Sequence, residues 1–373
     1  MQLTSLQTVQ HRIQVGQPLP FNVRLADQAL LLARGQAIAN PEQLRALLDR
    51  GAFVDIEELL TPAELLRRLP REALPQQWQL SLQQMAQVLV ATPGTSFRAA
   101  LEEASGPVLA LIERDPDLAI FQVLRREGGE RCAYGVQRSM NSAITAFLVA
   151  QRLAWEPQAV ERAFKVALTM NLSMLELQGQ LSQQRSPLTP EQLAELQTHP
   201  MRSVDLLEHA GVQDRDWLQA VARHHEQEDG QGYPSGCTDV GDLASLARRA
   251  DVYTAKLAAR SHRDALSADV AGRQMFMQDP GHPMTAALVK EFGVYPPGCC
   301  VRLASGATGV VVQRGAMVTT PVVACLTAPN GASLPTPVRV DTAQKQHAVV
   351  GVVGERTVNA QITADKLLAL TGR

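Results

Sequence analysis

The residues best equipped for chemistry lie together at His224-His225-Glu226-Gln227-Glu228-Asp229-Gly230-Gln231-Gly232-Tyr233-Pro234. Two imidazoles and a carboxylate combine borderline-soft nitrogen with hard oxygen, a donor set suited to first-row transition metals. The Asp229-Gly230-Gln231-Gly232-Tyr233-Pro234 segment must turn sharply, because glycine tolerates positive φ and proline cannot continue a helix. The histidines therefore stand at the end of a helix, facing a rigid loop. Adjacent helical residues diverge by about 100°, so the pair is expected to serve two metal sites, or one metal and one substrate contact. It is not expected to clasp a single ion.

These residues need a scaffold, and the composition supplies one of ordinary kind. In 373 residues, 45% are hydrophobic, 4% are aromatic, and 35 basic residues nearly balance 37 acidic ones. At roughly 100–200 residues per domain, the length implies two or three domains. The balance of charge argues against a DNA- or RNA-binding surface built on bulk charge. The five cysteines, Cys132, Cys237, Cys299, Cys300 and Cys325, form no Cys-x-x-Cys pair. They read as reduced thiols of a cytoplasmic protein. No leader pattern opens the sequence, and no run approaches the roughly 20 apolar residues that a membrane span needs.

The positioning elements follow from spacing. Pro18 to Leu25 and Ala29 to Ala33 read as short strands, followed by a helix with Asn40 as N-cap, Pro41 in its first turn and Gln43 completing a capping box. Residues 1–58 are expected to form a small α+β module that packs or dimerises. From Thr61 to about Arg126, leucines at three- and four-residue spacing predict a helical connector, residues 59–125, punctuated by Pro70, Pro75 and Pro93. Val136 to Trp155 reads as one long helix and Pro157 to Leu175 as the next, with Asn171 the polar exception on its apolar stripe. Thr189-Pro190-Glu191-Gln192 opens a helix with a second capping box, and Pro200 is expected to stop it. Trp217, Leu218, Val221 and Ala222 carry the helix that ends in the histidine pair. From Val294 the character turns to β, with Asn330-Gly331 as a tight-turn signal, and a terminal helix from Ala364 to Leu370 covers it.

The complete His-His-Glu…Asp-Gly-x-Gly-Tyr-Pro pattern resembles the signature of the HD-GYP family, bacterial metal-dependent phosphodiesterases of the second messenger cyclic di-GMP. The resemblance is clear over about Val136 to Arg263. It implies a mainly α fold, with a helical core over 126–290 and a β-rich extension over 291–373. It also implies that His199, in a matching His199-Pro200, and Asp251, in Asp251-Val252-Tyr253, join His224 and His225 as metal ligands. A histidine before proline is otherwise an ordinary helix-end residue. Arg260 and Arg263 match positions that contact nucleotide phosphate, and they read equally well as a solvated helix face.

The chain also departs from the family. Near the start of the long helix, where the family has a metal-binding histidine, stand Arg138, Ser139 and Asn141. In place of the family's His-Asp pair and lysine stand Met170, Asn171 and Met174. A bridging carboxylate places negative charge between two cations; asparagine is neutral, and methionine binds hard or borderline cations poorly. Asn171 therefore reads as a satisfied buried amide. The resemblance then implies a degenerate, catalytically impaired member that retains one divalent transition ion (iron, manganese or zinc) or none. It would act by binding cyclic di-GMP, by binding a GGDEF-type protein through Asp229, Gly230, Gly232, Tyr233 and Pro234, or as a homodimeric scaffold with a vestigial pocket. The alternative is an active cyclic di-GMP phosphodiesterase with a reduced metal site.

Overall fold

The computed structural model describes residues 2–91, 93–125, 131–261, 263–354 and 362–371, with only the backbone of Arg131 and Cys132. The sequence boundary near Arg126 and the Cys132 thiol lie outside the described residues. The chain forms two compact units, residues 1–69 and 70–373. It is mainly α, with a small sheet near each end of the chain.

The first unit contains β1 (Leu3–Ser5), β2 (Val23–Arg24), β3 (Leu30–Leu32), α1 (Pro41–Asp49), β4 (Phe53–Asp55), α2 (Ile56–Leu59) and α3 (Pro62–Arg68). Its strands form an antiparallel sheet of order β1-β4-β2-β3. Leu6, Val9, Phe21, Val23, Ile38, Leu47 and Val54 make its core. Asn40 caps α1 as expected, accepting from the Gln43 N–H at 2.8 Å. The reciprocal half of the capping box is displaced by one residue, however: Gln43 Oε1 takes the N–H of Ala39 at 2.7 Å.

The second unit opens with α4 (Leu74–Val90), α5 (Phe97–Arg114) and α6 (Pro116–Leu124). The site-bearing helices follow: α7 (Arg131–Arg152), α8 (Pro157–Thr169), α9 (Leu175–Gln183), α10 (Pro190–His209), α11 (Arg215–Arg223), α12 (Asp242–Leu257), α13 (Ala268–Gln278) and α14 (Pro283–Phe292). Helix α7 is central, packing on α8, α9, α12, α14, α4 and α6. Its apolar face buries Ala143, Ile144, Phe147 and Leu148, and Phe147 meets Phe164 of α8 edge to face.

Two helical expectations are corrected. The helix expected from Pro157 to Leu175 ends at Thr169, and a 3-10 turn, Leu172–Met174, separates it from α9. The break turns Asn171, 1% exposed, toward α12. The helix opened by the Thr189/Gln192 box, which forms in full, does not stop at Pro200 but runs through it to His209. Proline in a helix interior removes one N–H and leaves the carbonyl four residues earlier without a backbone partner. Here the ring of His199 satisfies that carbonyl, which belongs to Leu196.

The chain then forms β5 (Cys300–Leu303), β6 (Thr308–Gln313), β7 (Val322–Thr327), β8 (Ser333–Asp341), β9 (Val349–Val352) and α15 (Ala364–Thr371). The sheet is antiparallel with order β8-β7-β6-β5-β9. Gly331 takes φ +82° in the expected turn before β8. Edge strand β8 carries Pro335 and Pro337, which blunt it against pairing with another chain. Arg314 ties the sheet to the helices through Asp117 of α6 at 2.5 Å and Glu291 of α14. Among the described residues, no helix is long and apolar enough to cross a membrane.

Candidate metal centre

Three imidazoles converge between α10 and the end of α11. One ring nitrogen each of His199, His224 and His225 falls within 4.8 Å of the others. The expectation that His224 and His225 diverge is therefore corrected. Helix α11 ends at Arg223, so His224 is its C-cap and His225 lies beyond the helical repeat. Their ring centroids are 4.2 Å apart, and each lies 5.1 Å from that of His199.

Backbone carbonyls fix two of the rings. His199 Nδ1 lies 2.6 Å from the carbonyl of Leu196, the group left without a helical N–H by Pro200. His224 Nδ1 lies 2.7 Å from the carbonyl of Val221, one of the last carbonyls of α11. A carbonyl can only accept, so both Nδ1 atoms carry the proton and both Nε2 atoms present lone pairs. Those Nε2 atoms face each other at 3.1 Å. Two facing lone pairs repel unless a cation lies between them. A proton is a poor candidate: burial first, then the neighbouring histidine, pushes His199 and His224 down to about 3, and burial, His199 and Arg248 do the same to His225. Neutral imidazoles whose other nitrogens donate to backbone carbonyls are the arrangement that a divalent transition metal requires. The three histidines fit one such ion.

The loop after the histidines closes over them. Glu226 is fully buried and accepts from the N–H and hydroxyl of Ser235, both at 2.7 Å, which pins the far end of the turn. Asp229 accepts from the Gln231 N–H at 2.9 Å, and Gly230 takes φ +75°. Tyr233 stacks on His225 with centroids 4.5 Å apart and planes 16° from parallel. Burial and the charge of Asp251 raise its phenol pKa, so it remains neutral. The Tyr233-Pro234 peptide is cis, and Pro234 is exposed at the tip.

Gly232 is required by close approach. A Cβ there would lie 2.4 Å from Glu226 Cα and 2.5 Å from the Gln227 nitrogen. Gly232→Ala should therefore cost about 1–3 kcal/mol of stability, as overpacking does, and lift Tyr233 off His225. Thermal melting and the loss of the Tyr233–His225 ring cross-peaks in NMR would check it; an unchanged melt would mean that the loop accommodates the methyl freely.

The other sequence candidates are placed differently. Asp251 lies outside the three-histidine group. Its Oδ1 takes a 2.6 Å ion pair from Arg138 of α7, with Ser142 Oγ and Asn171 Nδ2 each at 3.5 Å. It still acts on the site at longer range, since its charge favours protonation of His199 and His224. Asn171 donates toward this carboxylate, while Met170 and Met174 are buried core residues. Arg260 and Arg263 pair through their backbones just past α12, and Arg263 Nη2 donates to the Ala255 carbonyl at 2.7 Å. The cation whose field reaches His225 is Arg248, half-buried and donating to Gln227 Oε1 at 2.9 Å. Its position three residues before Asp251 on α12, hence on the same face, was the sequence signal for it.

The chain is similar to several known proteins. Residues 129–275 match the HD domain family. A cyclic di-GMP phosphodiesterase of Pseudomonas aeruginosa is 27% identical over 227 residues, covering 59% of this chain and 53% of that protein. The cyclic di-GMP phosphodiesterase response regulator RpfG of Xanthomonas campestris pv. campestris is 30% identical over 141 residues, covering 36% of each. The chain thus spans about half or less of the length of these relatives. Among solved structures, a HDG"Y"P protein from Bdellovibrio bacteriovorus aligns with a TM-score of 0.49 at 17% identity, over 77% of this chain and 98% of its own. Residues 129–275 are thus similar to the HD domain family, and the His-His-Glu…Asp-Gly-x-Gly-Tyr-Pro segment that resembles the HD-GYP signature lies within them.

Proposed function

We propose that this chain is a one-metal, cyclic di-GMP-binding HD-GYP protein in which phosphodiester hydrolysis is impaired. The observation that carries the reading is the pair of facing Nε2 lone pairs at 3.1 Å, each fixed by a backbone carbonyl, with no carboxylate joining the donor cluster among the described residues. His199, His224 and His225 would hold the ion, which when bound supplies a Lewis-acidic centre for a phosphate oxygen. Arg248, whose charge reaches His225, would face the same phosphate, and Tyr233 keeps the His225 ring in place. Hydrolysis also needs a group that organises a second positive centre and the nucleophile. Asn171 is neutral and Asp251 is already paired with Arg138, so neither supports that step well. No disulfide joins the described cysteines, and we place the protein in the cytoplasm.

The test combines metal content, binding and turnover on anaerobically purified protein supplied with ferrous or manganous ion. We expect about one ion per chain, cyclic di-GMP binding by calorimetry, and no hydrolysis above the His224→Ala/His225→Ala control. The double variant should lose the ion and at least 100-fold in metal affinity, since two of three ligands are gone. Turnover above that control would establish the second reading, an active phosphodiesterase, which the complete three-histidine cluster favours. Binding of a GGDEF-type protein instead of nucleotide would shift the function to the exposed Pro234 tip.

A further inference from the structure

We propose that the guanidinium of Arg138 is the second cation of this site, so that the chain is built to hold one metal ion and not two. The inference rests on the three-histidine reading and deepens it.

Arg138 enters from α7 with its side chain 5% exposed and is directed entirely at α12. Nη2 donates to Asp251 Oδ1 at 2.6 Å and to the Asp251 carbonyl at 3.1 Å, while Nη1 donates to Thr254 Oγ1 at 2.9 Å. Ser142, one turn along α7, lies 2.9 Å from the same Thr254 hydroxyl and 3.5 Å from the same carboxylate oxygen. Asn171 approaches that oxygen from the break between α8 and α9, also at 3.5 Å. Three donors from two segments, α7 and the break after α8, thus surround the Asp251 oxygen that a second ion would need.

The charges point the same way. Asp251 and Arg138 neutralise each other, and guanidinium cannot be deprotonated in proteins. A second divalent ion would stand beside a permanent positive charge, with no further carboxylate in the donor cluster among the described residues. The Nε2 lone pairs of His199 and His224, by contrast, face each other at 3.1 Å. Guanidinium binds a carboxylate through planar, directed N–H groups but has no open coordination position, so Arg138 holds Asp251 without taking up a ligand of its own. It is a positioning residue: it acts through Asp251, whose field reaches His199, His224 and Tyr233.

Manganese stoichiometry and affinity, measured by equilibrium dialysis with elemental analysis on the full chain, test the proposal. Wild type and Arg138→Lys should each bind one manganese, even at large excess. Arg138→Gln releases the Asp251 carboxylate and should bind manganese at least tenfold more tightly, or take up a second equivalent. Should that variant not fold, the neutral pair Arg138→Gln/Asp251→Asn carries the test, since the pair is neutral before and after. Its manganese affinity should stay within threefold of wild type, whereas a tenfold loss would make Asp251 a ligand and overturn the proposal. An unchanged affinity and stoichiometry in folded Arg138→Gln would overturn it too. Two ions in wild type would overturn this inference alone, whereas none in wild type would take the three-histidine reading down with it.

Discussion

Pro200→Ala should make the protein more stable and a poorer metal binder at the same time. Proline inside a helix is about 3 kcal/mol less favourable than alanine, and Pro200 sits in the interior of α10. Alanine restores the N–H that bonds the Leu196 carbonyl, so we expect a gain of about 1–3 kcal/mol, visible as a melting temperature higher by a few degrees. The same N–H competes with His199 Nδ1, which holds that carbonyl at 2.6 Å in the native chain. Losing a partner of this kind weakens metal binding by about 10- to 100-fold in metalloproteins. The measurement is a pair of titrations, thermal melting of the metal-free protein and manganese binding by calorimetry. If stability rises while affinity holds, the freed carbonyl is not what orients the ring. The His199-Pro200 pair would then be a helix feature with no bearing on the metal.

Gly135→Ala should be strongly destabilising, with a sign opposite to helix propensity. Alanine exceeds glycine in helix preference by about 1 kcal/mol, so the substitution would ordinarily stabilise α7. At this position, however, the added Cβ would lie 2.2 Å from the Leu175 carbonyl oxygen and 2.8 Å from its Cα, both backbone atoms of the first residue of α9. Backbone cannot swing aside as a side chain can, so α7 and α9 must separate. Overpacking costs about 1–3 kcal/mol and occasionally more, and we expect the upper end. Gly272→Ala in α13 is the control, because its Cβ would meet only the Val289 Cγ2 at 3.6 Å, an ordinary contact. It should leave stability unchanged or raise it by up to about 1 kcal/mol. Chemical denaturation of the two variants decides; equal midpoints would mean that α9 yields at no cost.

The two effects meet at the site. Helix α9 begins directly after the break that carries Asn171, so the close approach at Gly135 also sets where that amide meets Asp251. Helix α7 supplies Arg138 one turn further on. A shift of α7 against α9 should therefore disturb the Arg138–Asp251 pair as well as the fold.

Local sequence patterns determined much of this protein. The Thr189/Gln192 capping box forms as read, because both of its bonds link residues three apart. The Asp-Gly-x-Gly-Tyr-Pro turn was legible in part: Gly230 supplies the expected positive φ, whereas Gly232 is required by its close approach to the Glu226 backbone and not by φ. The helices of the core, β2 and β3 of the N-terminal sheet and the C-terminal strands followed from periodicity and turn residues, whereas β1 and β4, three residues each, lie in no run long enough to show a pattern. Only the tertiary structure decided which chemical groups meet. Proline reads locally as a helix stop, and it took the His199 ring to satisfy the Leu196 carbonyl and let α10 continue. The 100° rule separates His224 from His225 only while both are helical, and α11 ends just before them. Arg138 and Asp251 are 113 residues apart, on helices whose packing no local pattern encodes. Spacing along the chain fixes what a segment can be, whereas long-range packing of α7, α10, α11 and α12 fixes which carboxylate stays free, which is paired, and where the lone pairs converge.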